Sequence, residues 1–137
     1  MKFYQAMIDP ELDREGRWAE FVPGMRFRIA RMDNKRALDS HRQRLADEQA
    51  RVGRAKIAPE VLGEIALETL ARHVLLGWDG VDDADGKPIP YSPEKALEFL
   101  RDERCRDLRR FLEEAASDAA AYHASARKDA EGNSRSA

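Results

Sequence analysis

The run Trp18–Ala30, WAEFVPGMRFRIA, restricts the fold more than any other stretch of this chain. Trp18, Glu20 and Val22 alternate with Ala19 and Phe21. After Pro23-Gly24, Met25, Phe27 and Ile29 alternate with Arg26, Arg28 and Ala30. A period of two is a strand signal. Pro-Gly suits a type II turn, because proline presets φ and glycine supplies φ > 0. The pattern predicts a β-hairpin over about 17–30, with one apolar and one cationic face. An isolated hairpin is marginal in water. Met25, Phe27 and Ile29 must therefore pack against helices or another chain.

The rest of the chain reads as helix. Asp9-Pro10 opens a short turn, and FYQAMI before it is either a strand or an arm. Asn34 caps a helix over about 34–53, whose apolar stripe (Ala37, Leu38, His41, Leu45, Val52) is thin. Such a helix depends on its neighbours. Pro59 opens a helix over about 59–76 that is apolar on most sides and is expected to be central. Ser92-Pro93-Glu94 is a strong helix start and predicts a helix over about 93–102. A last helix runs over about 104–123 on the stripe Leu108, Phe111, Leu112, Ala115, Ala119 and Tyr122. The polar segment 124–137 has no periodicity and is expected to be disordered. The fold class is thus mainly α with a small N-terminal β-hairpin and about four helices, in one domain over 1–123.

Between the second and third of these helices lies Gly77–Glu94, GWDGVDDADGKPIPYSPE, a long and individual loop of the kind that is usually functional or specially packed. Its aspartates suggest calcium, but the spacing does not. With Gly86 at position six, Asp85 and Asp83 fall on ligand positions. Position one is then Val81 and position twelve Ser92, so the first ligand and the bidentate glutamate are missing. The aspartates read as an acidic turn, and Trp78 and Tyr91 are expected to pin the loop to the domain.

Other chemistry is scarce. One cysteine, Cys105, permits no internal disulfide. It lies between Arg104 and Arg106, which would favour a thiolate, but no histidine is near it in sequence. His41, His73 and His123 have no zinc spacing. Glu64 and Glu68 read as a solvated pair. No phosphate-binding or nucleophile motif occurs, so a non-enzyme is expected, with no cofactor and no metal. No apolar run approaches the ~20 residues of a membrane span, and no signal peptide is evident, which predicts a cytosolic protein. Net charge is −2, but residues 1–56 carry thirteen basic and nine acidic side chains, and the remainder eleven and seventeen. Halves of opposite sign suit protein contacts, including a homo-oligomer. The alternative is a small nucleic-acid-associated regulator using Arg26, Arg28, Arg31, Lys35 and Arg36. Nucleic acid fits less well, because the basic residues are not concentrated on one face.

WAEFVPGMRFRIA with Asn34 following, the apolar helix running into LLGWDGV, then DADGKPIPYSPEKALEFL and DLRRFLEEAA together resemble the tail assembly chaperones of long-tailed, siphovirus-like phages and prophages. The resemblance covers about residues 9–122. It implies a small, mainly helical, non-enzymatic protein of the host cell cytoplasm. Such a protein binds the tape measure protein, helps recruit tail tube subunits, and is absent from the finished virion. It also implies that a longer, frameshifted form can exist. The family supplies no agreed functional residues. From exposure and chemistry, Trp18, Phe27, Trp78, Asp79 and Tyr91 are assigned to partner contact.

Overall fold

The computed structural model describes residues 1–127. Strands β1 (Arg17–Val22) and β2 (Met25–Ile29) form the expected hairpin, with Trp18 opposite Arg28 and Ala19 opposite Phe27. Gly24 takes a φ of +81°, as the turn requires. The sheet is larger than the hairpin, however. A third strand, β3 (Leu75–Asp79), pairs antiparallel with β2 and sets Trp78 opposite Phe27 and Asp79 opposite Arg26. The order is β1-β2-β3.

Strand β3 overturns the expected helix over 59–76. The helix proper, here α3, ends at Thr69. One π-helical turn, Leu70–Val74, then passes directly into β3. Gly77 and Trp78 are thus strand residues, not a helix exit. Leu70, Ala71, Val74 and Leu75 are all buried, so the apolar signal continues unbroken while the backbone changes period.

Five α-helices lie among the described residues. Helix α1 (Pro10–Glu15) is capped by the Asp9 carboxylate, which accepts from the amides of Glu11 and Leu12, 3.0 Å each. Helix α2 (Lys35–Val52) is capped by Asn34, α3 is Pro59–Thr69, and α4 (Pro93–Arg101) is capped by Ser92. Helix α5 is only Arg106–Ala116, shorter than the expected 104–123. Ser117 and Asp118 break it, and residues of these types compete with the helical backbone. Two 3₁₀ turns follow, Ala119–Tyr122 and Ala124–Ala126. The first turns the Tyr122 ring fully into the core.

The two ends of the described chain meet. Phe3–Ala6 is a 3₁₀ turn, Ile8 bridges His123, and the Ala124 amide donates to the Met7 carbonyl at 2.9 Å. Arg127 pairs with Asp9 at 2.8 Å and with Glu11. Residues 124–127, placed in the polar tail from sequence, therefore belong to this pairing. The remainder of that expected tail lies outside the described residues.

The inner face of the sheet carries Ala19, Phe27, Ile29 and Trp78 against the buried sides of α4 and α5 and the π turn. Full burial of Phe27 and Ile29 contributes roughly 1.5–3 kcal/mol each. Helix α2 stands apart, with Ala37 its one buried residue, as its thin stripe predicts. No described helix is long and apolar enough to cross a membrane.

Candidate interaction surface

The loop after β3 is pinned by two side chains. The Trp78 indole donates from Nε1 to the Ile89 carbonyl at 2.7 Å. The Tyr91 ring meets the indole edge-on, with centroids 5.0 Å apart, and its hydroxyl donates to the Leu75 carbonyl at 2.6 Å. Burial pushes the Tyr91 phenol above its ordinary value, so it remains a donor at neutral pH. Phe99 of α4 stacks on Trp78, 5.3 Å between centroids. Residues 88–91 thus form a strap beside β3. The acidic turn before it is an Asx-type turn, in which Asp83 Oδ1 accepts from the amides of Asp85 and Lys87.

The five residues assigned to partner contact fall on two sides of the sheet. Trp18 and Asp79 come together on the outer face through Arg26, whose guanidinium lies 5.0 Å from the Trp18 ring centroid and 3.1 Å from the Asp79 carboxylate. Trp78 and Tyr91 turn inward, half-buried, to hold the strap. Phe27 is 1% exposed and offers no open surface, only a place in the wall of a groove at the hairpin-turn end of the sheet. The antiparallel register sets it opposite Trp78 on the inner face, so it is a core residue and not an exposed contact.

Sequence reasoning missed a groove. It has a volume of about 330 Å³ and opens at the hairpin-turn end of the sheet. Phe21, Met25, Phe27, Val81, Phe99 and Leu108 make its apolar lining, and Arg104 and Asp107 are its charged residues. These side chains come from β1, β2, the loop after β3, α4, the α4–α5 turn and the first turn of α5, so no single stretch signals it. Asp102 fixes Arg104 through a 2.7 Å ion pair, which holds the Asp102 carboxyl down at about 2. Cys105 also lines the groove. Burial pushes its thiol up, and Asp102 adds to the effect against the opposing pull of Arg104. The thiolate suggested by flanking arginines is therefore disfavoured.

A smaller recess of about 230 Å³ lies between α2 and α3, lined by Met32, Leu38, His41 and Leu70 among others. His41 Nδ1 is 3.3 Å from the Thr69 hydroxyl, at the edge of this recess. Glu64 and Glu68 are not simply solvated. Glu64 pairs with Arg101 of α4, and Glu68 with Arg44 of α2 at 2.9 Å, tying three helices together.

The proposed basic stripe is dispersed and engaged. Arg26 pairs with Asp79, and Arg28 donates to the Leu76 carbonyl at 3.2 Å. Arg31 pairs with Asp33 at 2.8 Å and Lys35 with Asp39 at 2.7 Å, while Arg36 lies 4.0 Å from Glu15.

A family model described as YdaY prophage protein matches residues 29–133. The chain belongs to the YdaY prophage protein family. The matched region of this YdaY family member begins at the last residue of β2. It takes in β3, the strap and the α4–α5 wall of the groove, and leaves out β1 and the hairpin turn. No curated protein and no solved structure matches the chain.

Proposed function

We propose that this prophage protein is a tail assembly chaperone that binds the tape measure protein and recruits tail tube subunits in the host cytoplasm, without catalysis and without entering the finished virion. The observation that carries this reading is the groove, an apolar trough with Arg104 and Asp107 on it. Its size is at the lower end of binding pockets, which run from roughly 300 to 1,000 Å³. A trough of this kind receives apolar side chains from one face of an amphipathic helix, while fixed charges set its direction. Tape measure proteins are long and helical by the same resemblance, and present such faces. Prophage family membership and the resemblance of the loop and its flanks support the reading. The raised Cys105 thiol weighs against a nucleophile. The engaged arginines weigh against a nucleic-acid regulator.

The test is co-expression with the tape measure protein of the same prophage, followed by capture. The wild-type chain is expected to bring the tape measure protein with it, and Met25→Glu, which places a charge in the trough, to lose it. No complex, or a complex indifferent to Met25→Glu, would refute the proposal. Salt-dependent retention of DNA in a gel shift would favour the regulator instead.

A further inference from the structure

The two edges of the sheet are treated differently. Along β3, the strap lies beside the strand and takes one of its carbonyls: the Tyr91 hydroxyl occupies that of Leu75, and the Trp78 indole holds Ile89. Along β1, the described backbone hydrogen bonds of Arg17–Val22 run only to β2. An open edge presents unpaired amides and carbonyls in a row and is a template for another strand.

We propose that β1 pairs antiparallel with β1 of a second copy about a two-fold axis at Ala19, joining two three-stranded sheets into one of six strands and laying α5 beside α5 of the second copy. The inference does not rest on the tape measure reading. Two arguments select this occupant and this register.

The first is strand chemistry. Pairing that keeps inner faces together must place the axis on Ala19 or on Glu20. Glu20 on the axis would set two carboxylates directly opposite, which is destabilising. Ala19 on the axis sets Trp18 opposite Glu20 of the second copy, and Arg17 opposite Phe21. The register shift between Glu20 and Val22 falls at Phe21, so the regular ladder ends with this run.

The second is charge. Arg17 donates to the Ala115 carbonyl at 2.9 Å, and the Phe21 ring lies 5.1 Å from that of Phe111. Helix α5 therefore runs beneath β1 in the opposite direction, and the two-fold makes the α5 pair antiparallel. Its first half carries Arg106, Arg109 and Arg110 with one acid, Asp107, for a net positive charge, and its second half Glu113 and Glu114. Antiparallel pairing sets each basic half against an acidic one. Arg109 already pairs with Glu113 at 3.6 Å. Arg110 and Glu114 are exposed, with no ion pair among the described residues. By helical spacing they share the flank of Phe111, which touches β1. That flank faces the open edge, so Arg110 meets Glu114 of the second copy twice across the axis.

Native mass spectrometry and light scattering test the pairing. Wild-type protein is expected at twice the chain mass of 15.6 kDa. Arg110→Glu and Glu114→Arg should each weaken the dimer by about tenfold or more, and the double variant should restore it. Residues opposite each other in an antiparallel pair have Cα atoms about 4.5–5.5 Å apart, within disulfide reach. Ala19→Cys in a Cys105→Ser background is therefore expected to yield a covalent dimer on mild oxidation. A single-chain mass for the wild type, a dimer unmoved by either reversal, a double variant that stays dissociated, or no Ala19→Cys cross-link would each overturn the proposal.

Discussion

Where β2 runs out past Ile29, four other parts of the chain meet its backbone. At the hairpin end, closure is made by side chains and is incomplete. At the first end, the Ala30 amide donates to Val74, Arg31 to Asp13 and Met32 to Ala116, all within 3.0 Å. The Tyr122 hydroxyl donates to the Ile29 carbonyl at 2.9 Å, and buried Asn34 reaches the carbonyls of Arg31 and His73 while capping α2. Such pairing ties α1, α5, the π turn and the 3₁₀ turn of Tyr122 to one end of a single strand. At the other end, the sheet extends past the helices that cover it, and Phe21, Met25 and Val81 line a groove instead. The groove arises where the covering elements stop, and the backbone ties between distant parts of the chain gather at the opposite end.

That contrast can be broken most sharply at Tyr122. Tyr122→Ala removes a ring with no exposed surface and should cost about 3–5 kcal/mol in urea unfolding. A loss below about 1 kcal/mol would mean that the closed end is not the anchor. The same residue predicts a pH dependence. Burial raises its phenol from 10.0 to about 12, so the unfolded chain releases the proton first. The Tyr122 contribution is fully present below about pH 10 and is lost as pH rises towards 12, roughly 2–3 kcal/mol in all. Tyr122→Phe should flatten that window.

Gly80 sharpens the comparison at the open end. Its φ is +77°, and a Cβ there would fall 1.9 Å from the Gly24 carbonyl oxygen. Gly80→Ala must displace the hairpin turn and should cost roughly 2 kcal/mol, read by the same unfolding curve. Tyr91→Phe removes the donor to Leu75 and should cost about 1–2 kcal/mol. Met25→Glu should change stability by no more than about 1 kcal/mol while abolishing capture of the tape measure protein. If it unfolds the chain instead, the groove is core and not surface.

The hairpin, the caps at Asp9, Asn34 and Ser92, and the pinning by Trp78 and Tyr91 were legible because each rests on local chemistry: a period, a side-chain acceptor, an aromatic with a polar handle. Strand β3 was not. LLGWD continues the apolar run of α3, and a short apolar segment has no period that separates buried strand from buried helix. The end of α5 was hidden in the same way, since Tyr122 fits the helical stripe by spacing yet reaches the core from a 3₁₀ turn. The groove was illegible for another reason. Phe21, Met25, Val81, Phe99 and Leu108 are adjacent only after β3 has added to the hairpin and α4 has covered it.

Cys105 offers the most direct reading of the groove, because it is the sole cysteine and lies in the lining. The rate of its alkylation at neutral pH, followed by mass spectrometry, can be measured with and without a saturating helical segment of the tape measure protein. If the groove is the binding surface, Cys105 reacts slowly in the free protein and falls to a small fraction of that rate in the complex. A complex in which Cys105 reacts at its free rate would contradict the account.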